Sequence, residues 1–458
     1  MSEIDNRQLH VASIAFPFGS HAAQVLNITR GLAAAAPSVT FSFFSTAKSN
    51  LSLFGPSSSS SCPGFDNIKV YVVDDGIPEN HVLSGNPIEE IGLFSEAAPR
   101  SFRKAIDKAV FDTNIKVTCL TSDAFLPMTC SIAEELGVPW VPVFAPGASA
   151  LTCHVHTDLI RQMLEGKGDD ELLSFVPGLE SIRSRDLPHE ICRNLDSPFG
   201  QMLHTMGLTI SRATAVAINS FQELEWDAIK DLNSKLKLCL AVGPLTVVSP
   251  PSTTTFEDPY GCLPWLDNQT PASVAYVSFG TSATPPPNEL LALAQGIEAS
   301  GVPFLWSLKD SVKAHLPDGF SERTYERGKM VPWTPQTKIL EHSALGVFVT
   351  HCGWNSVLES IMAGVPMIYR PFFGDQDLIA RLVSNVWEIG VDVGDGVFTK
   401  EGTVKALDLI LCKKEGKIIK DKATTLKEQA KQAVAPTGST SNNFRRLLEI
   451  VTKSPHTK

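Results

Sequence analysis

A chain of 458 residues is too long for one ordinary domain, and two or three are expected. With 43% apolar and 19% charged residues it has the profile of a globular protein, which excludes a disordered one. The net charge of -10 argues against nucleic acid or an anionic membrane as the main partner, because both require a basic face.

In chain order, short β-branched or aromatic runs alternate with helix-like stretches. The first half predicts strands at Val11–Phe16, Val39–Ser45, Val70–Val73, Val117–Thr121, Trp140–Phe144 and Ala215–Asn219. The second half predicts them at Val274–Phe279, Phe304–Leu308, Gly346–Thr350 and Met367–Tyr369. Between them lie amphipathic or alanine-rich segments such as His21–Ala36 and Glu289–Ala299. Repeated β-α-β units imply parallel sheets with helices on both faces. Pro244, Pro250, Pro251 and the Ser-Thr run after them read as an extended linker over residues 244–260. The expected division is a domain of residues 1–243, that linker, a second domain of residues 261–441, and a C-terminal segment 442–458 that contains a helix near Asn442–Thr452 and is placed to pack back on the first domain. Ser57–Ser61 reads as an exposed low-complexity loop.

Nine cysteines are scattered, with no C-x-x-C pair. They read as buried free thiols in a reducing compartment. The apolar run after the polar N-terminus is broken by Pro17 and Gly19, so it reads as a first strand and not as a signal peptide. No run approaches the roughly 18 apolar residues of a membrane span. A soluble, cytoplasmic, monomeric protein is expected.

In doubly wound sheets ligands bind beyond the carboxyl ends of the strands. His21 follows the first predicted strand, and a neutral imidazole there could take a proton from a hydroxyl; the plainer alternative is a histidine that only opens a helix. Asp123 lies just past another strand. It either orients and charges His21, as the aspartate of a Ser-His-Asp triad does, or caps the next helix. The two are 102 residues apart, so spacing alone cannot join them.

The densest signal is the block of 44 residues from Trp333 to Gln376. It reads Trp333-Thr-Pro-Gln336, then His342, then a strand ending in His351, then Gly353-Trp354-Asn355-Ser356, then Glu359, and closes Phe372-Phe-Gly-Asp375-Gln376. A helix beginning at Gly353–Ser356 would offer backbone N–H groups and its dipole to a phosphate. Trp333 offers a stacking surface for a base, or else is core. Ser356-x-x-Glu359 also fits a capping box. Asp375-Gln376-Asp377 matches a metal-binding D-x-D pattern, but a three-residue match is weak and the helix start already serves the phosphate, so no metal is expected. No G-x-G-x-x-G follows the first strand, which disfavours a nicotinamide oxidoreductase.

The block resembles the signature box of plant secondary-product glycosyltransferases, and the resemblance extends over the whole chain, including Pro17-Phe-Gly-Ser-His21 and Phe279-Gly-Thr281. The runs Ala15–Ala23 and Phe41–Asn50 look most like flavonoid and anthocyanidin 3-O-glucosyltransferases. The resemblance implies a GT-B fold, two doubly wound Rossmann-like domains facing across a cleft, and inverting, metal-independent transfer from a UDP-sugar with no cofactor. By motif it implies that Trp333 stacks on uracil and the Thr334 backbone pairs with its edge. Gln336 and Glu359 would bind ribose. Ser20 is counted among the donor-binding positions, with Thr281, His351, Asn355 and Ser356 on the diphosphate and Trp354, Asp375 and Gln376 on the sugar. It makes His21 the general base and Asp123 its partner, and it lines the acceptor pocket with Phe125, His154 and Phe373. Gln376 favours glucose. Two positions depart from the pattern: Ile88 stands where a polar acceptor contact is usual, and Ala145 where a threonine would touch the sugar 6-hydroxyl. Transfer of another sugar, C-glycosylation, and a catalytically dead sugar-nucleotide binder are the rival readings.

Overall fold

The computed structural model describes residues 8–55, 61–249, 258–281, 283–394 and 396–453. Among them the chain forms two sheets with helices on both faces. The first sheet holds β1 (His10–Ile14), β2 (Thr40–Thr46), β3 (Ser61–Cys62), β4 (Phe65–Val73), β5 (Cys119–Asp123), β6 (Trp140–Phe144), β7 (Val216–Ile218) and β8 (Cys239–Ala241). Their order is β3-β4-β2-β1-β5-β6-β7-β8, parallel throughout except for the short β3. The second sheet is wholly parallel, in the order β11-β10-β9-β12-β13-β14. Its strands are β9 (Val274–Ser278), β10 (Phe304–Ser307), β11 (Gly328–Val331), β12 (Leu345–Thr350), β13 (Met367–Tyr369) and β14 (Gly390–Asp392).

The strand alternation sets the layers. In β2, Phe41 and Phe43 point to one face of the first sheet with Val11, Val25 and Val143, whereas Phe44 joins Ile14, Phe94 and Phe144 on the other. Both faces are buried, as a parallel sheet demands. Helix Ser439–Val451 returns to the first sheet: Leu447 and Val451 enter its core, and Asn443 Nδ2 donates to the Ala241 carbonyl at 2.9 Å.

Strands β3, β8, β11 and β14 were not foreseen. Residues β11 and β14 begin with glycine because a side chain at Gly328 would overlap the Phe304 ring, and one at Gly390 would overlap Val383. Close packing, invisible in the strand's own pattern, selects glycine there. β5 runs two residues further than expected, so Asp123 ends the strand instead of following it. The first part of the linker is not extended: Leu245–Val248 forms a helical turn packed against helix His21–Ala35, while residues 250–257 lie outside the described residues. So do residues 57–60 of the serine run, whose last member, Ser61, pairs in β3. All nine cysteines are free thiols, but Cys192 is only partly buried and Cys412 is exposed.

Candidate active site

In each sheet the strand order reverses once around its first strand, at β1/β5 and at β9/β12. These are the switch points where the outgoing loops diverge and leave a crevice. β1 and β5 pair in parallel up to Ile14 and Ser122, so the loop after β1 and the end of β5 meet. The loop turns through Gly19 at φ +57°, and His21 opens helix His21–Ala35. His21 Nδ1 donates to Asp123 Oδ2 at 2.9 Å, and Asp123 Oδ1 accepts the Phe125 N–H at 2.9 Å. Asp123 is fully buried; the helix after it starts only at Thr129, so it caps no helix. Burial pulls the His21 pKa down, but the Asp123 charge and hydrogen bond, with help from Asp375, outweigh it and hold the imidazole above its ordinary value. Phe125 packs on the ring at 4.5 Å between centroids, and Phe16 meets it edge-on at 5.4 Å.

In the second sheet, the exit of β11 carries Trp333, a residue that is 51% exposed. A tryptophan left that open is a free surface and not core. Behind it Gln336 is the centre of a polar cluster. Its Nε2 donates to Glu359 Oε2 at 2.7 Å and to Ser356 Oγ at 3.0 Å, while its Oε1 accepts from the Tyr276 hydroxyl at 3.1 Å. Tyr276 OH also lies 2.7 Å from Thr334 Oγ1. Burial raises the Glu359 pKa against the pull of Gln336. Gly353, and not Ser356, is the N-cap of helix Trp354–Ala363, so the capping box does not form and Glu359 faces Gln336. The far end of this helix is closed by Lys420 and Lys427, whose ammonium groups donate to the Gly364 and Ala363 carbonyls at 2.9 and 3.0 Å; both charges complement the dipole that makes the other end attractive to anions.

His351 sits between two glycines. A side chain at Gly353 would overlap its ring, and one at Gly280 would crowd it. Burial pushes its pKa down to about 4, so the imidazole is neutral at physiological pH, and its buried Nδ1 meets no partner among the described residues. Thr281 is exposed beside it, and its carbonyl accepts from Lys309 Nζ at 2.8 Å.

The two halves touch at the catalytic end. Asn355 Nδ2 donates to Ser20 Oγ at 2.9 Å, one residue before His21. The Trp354 indole donates to the Asn219 carbonyl at 2.6 Å and packs on Gly147, so its N–H is engaged within the protein. Asp375 and His21 feel each other's charge, and burial raises the Asp375 pKa to about 6. Gln376 is buried, and its Oε1 accepts the Phe372 and Phe373 N–H groups at 2.8 and 3.3 Å, which leaves its amide nitrogen as the donor end. Asp377 faces different neighbours, Asp186, His189 and Arg370, and among the described residues no three His, Cys, Asp or Glu side chains converge.

The expected acceptor residues divide. Phe125 lies against His21, and His154 joins the same aromatic cluster through Phe144 at 6.4 Å. Burial drives the His154 pKa down to about 4. Phe373 is half-exposed after β13, and Ile88 is half-exposed at the start of helix Pro87–Thr113. Ala145 follows β6, its carbonyl held by Asn219 Nδ2 at 3.0 Å. Tyr276, Asn219 and the Arg370–Glu289 pair are not singled out by the sequence; their signals are an aromatic within an apolar strand, polar residues just beyond strand ends for Asn219 and Arg370, and an acidic residue in a first helical turn for Glu289.

Comparison with known proteins agrees with this geometry. Residues 253–432 match the family described as UDP-glucoronosyl and UDP-glucosyl transferase. An anthocyanidin 3-O-galactosyltransferase of Rhododendron delavayi is 51% identical, over 98% of this chain and 99% of its own. The chain belongs to the plant UDP-dependent glycosyltransferases. Another such glycosyltransferase, the anthocyanidin 3-O-glucosyltransferase of Vitis vinifera, is 48% identical over 97% of both chains. A UDP complex of an anthocyanidin 3-O-glucosyltransferase superposes with a TM-score of 0.93 at 43% identity, over 98% of this chain and all of that one. The fold is accordingly GT-B, as the resemblance implied, and this UDP-glycosyltransferase has no helix among its described residues long and apolar enough to cross a membrane.

Proposed function

We propose that the protein transfers glucose from UDP-glucose to the 3-hydroxyl of a flavonol or anthocyanidin, with inversion and without a metal. The observation that carries the reading is the hydrogen bond between Ser20 and Asn355. It sets the His21–Asp123 pair directly beside the helix start suited to a diphosphate. His21 takes the proton of the acceptor hydroxyl, and Asp123 keeps Nδ1 protonated so that Nε2 is the base. The oxygen attacks the anomeric carbon from the face opposite UDP and forms a β-glycoside in one displacement. Negative charge gathers on departing UDP, where the N-terminus of helix Trp354–Ala363, neutral His351 and Thr281 stabilise it. Trp333 stacks on uracil, with the Thr334 backbone at its edge, and the Gln336–Glu359 pair receives the ribose hydroxyls. Phe125, Phe373 and His154 line the acceptor side; burial keeps the His154 imidazole neutral, and no hydrogen bond among the described residues engages the ring, so it is available to a phenolic hydroxyl. Relatives named for anthocyanidin and flavonol 3-O-transfer support this acceptor class.

The donor sugar is the finer question, since relatives of similar identity are named for galactose and for glucose. With its oxygen engaged by the Phe372 and Phe373 N–H groups, the Gln376 amide is left to donate through Nε2, which suits sugar hydroxyls. Gln376→Glu keeps an acceptor for the Phe372 and Phe373 amides but loses the donor. It is expected to lower kcat/KM for UDP-glucose by on the order of 10-fold, the worth of one hydrogen bond in a desolvated site. Steady-state rates with UDP-glucose and UDP-galactose, with product identity by mass and NMR, test both the donor and the position of attack. Preferred use of UDP-galactose would reassign the donor, and an acid-stable product would reassign the bond to carbon.

The raised His21 pKa fixes a pH dependence. The base works only when neutral, so kcat/KM should fall as pH drops through a value above the ordinary histidine pKa of about 6.5. Asp123→Asn removes the charge that raises it. The acid limb should move to lower pH even as the plateau rate falls. A limb that stays in place in Asp123→Asn would show that another group titrates.

A further inference from the structure

Asn219 has no part in the reading above, yet it joins more of the site than any residue that does. It follows β7 and is 1% exposed. Its Nδ2 donates to the Ala145 carbonyl at 3.0 Å and to Asn355 Oδ1 at 3.1 Å; its Oδ1 accepts the Leu245 N–H at 2.9 Å. Its carbonyl accepts the Trp354 indole N–H at 2.6 Å, and its own N–H donates to the Phe144 carbonyl at 3.1 Å. Both amide hydrogens and the amide oxygen are therefore used, and the amide cannot turn over without setting oxygen against oxygen at Ala145 and Asn355 and N–H against N–H at Leu245.

The segments it joins are the exit of β6, the first turn of helix Trp354–Ala363 and the start of the chain's passage to the second sheet. Asn355, held by Asn219 on one side, grips Ser20 on the other, and Ser20 precedes His21. A continuous hydrogen-bonded path thus runs from the helix start that would carry the diphosphate to the residue before the base. We propose that Asn219 is a positioning residue for sugar transfer: it sets the distance between the anomeric carbon, carried with the diphosphate by one half, and the acceptor oxygen activated by the other. This rests on the glycosyl-transfer reading. A site whose halves lie slightly out of register still binds donor, but the in-line attack suffers, and water can take the acceptor's place, giving UDP and free sugar.

The test is Asn219→Asp, nearly isosteric, which keeps the acceptor for Leu245 and loses both donors. Purified full-length enzyme is assayed with UDP-glucose and a flavonol for glycoside and for free glucose, and UDP affinity is measured separately by calorimetry. The transfer kcat is expected to fall on the order of 10²-fold, as misplacement of reacting groups by about 1 Å does, with UDP affinity close to that of the wild type and the hydrolysed fraction raised. Trp354→Phe removes the hydrogen bond to the Asn219 carbonyl while keeping an aromatic ring, and should raise the hydrolysed fraction too; it carries the test should Asn219→Asp not fold. Wild-type kcat and partition in the variant would overturn the proposal, as would UDP affinity and kcat falling in parallel with unchanged partition, which marks a purely structural role. A wild-type enzyme that glycosylates no flavonol or anthocyanidin would instead defeat the functional reading on which the proposal stands.

Discussion

His21→Ala is expected to lower turnover by roughly 10²–10⁴-fold, the usual worth of a positioned general base, while UDP binding stays intact. The separation follows from the contacts. Among the described residues the imidazole touches Asp123, Phe125 and Phe16, all from the first half of the chain, and its link to the donor half is the long-range charge of Asp375 alone. Removing it takes away proton acceptance without opening the cluster around Gln336 or the turn at His351. Asp123→Ala should also be deeply impaired, because the imidazole loses both the bond that selects its tautomer and the charge that favours its protonated form. The double variant should be little worse than His21→Ala, since Asp123 acts only through His21. Single-turnover glycoside formation and UDP titration measure the two quantities independently. A His21→Ala enzyme with near wild-type turnover would remove His21 from the base role, and a loss of UDP affinity equal to the loss of rate would mean that the residue holds the donor site together instead.

What the sequence disclosed follows the range of the interactions. The alternation in Thr40–Thr46 and the apolar runs at Trp140–Phe144 and Met367–Tyr369 report burial on both faces, a local property, and those strands were readable. The turn at His351 is readable because its parts lie within a few residues: a strand end, a histidine, a glycine and a helix start. His21 and Asp123 were legible as candidates, but their contact depends on β1 pairing with β5, and no pattern in either strand encodes that. Tyr276 looked like one more apolar strand residue; its hydroxyl matters only because Thr334 and Gln336, 58 and 60 residues on, surround it. The Trp354 indole reaches back 135 residues to Asn219, a contact that no neighbouring residue in the sequence signals. Edge strands β11 and β14 hide behind glycines chosen by neighbours in other elements, Phe304 on β10 and Val383 in a helix.

Glu289→Ala is expected to cost roughly 3–5 kcal/mol of stability, the usual effect of removing one partner from a buried ion pair. Glu289, in the first turn of helix Pro287–Ser300, receives Arg370 through two parallel bonds, Nε to Oε2 at 3.0 Å and Nη2 to Oε1 at 2.6 Å, and also accepts the Phe398 N–H at 3.0 Å. Both side chains are largely buried, so the truncation strands a guanidinium in a poorly solvated place and frees a backbone donor. The Arg370 guanidinium also donates to the Pro371 carbonyl and lies 4.3 Å from the centroid of the Phe372 ring, which meets Phe279 edge-on at 5.9 Å. The pair therefore underlies both the Phe279–Thr281 turn and the turn carrying Asp375 and Gln376. Denaturant unfolding and donor kinetics separate its two effects. In the combined variant Glu289→Gln, Arg370→Met no charge is left unpaired, and much of the stability should return. In Glu289→Ala the freed guanidinium loosens from Phe372 and Pro371 and the donor KM is expected to rise; in the combined variant it should stay raised, because both contacts are gone. Recovery of both stability and KM would mean that the pair only stabilises the fold, and that the turn carrying Asp375 and Gln376 keeps its shape through Gln376 and its two backbone bonds alone.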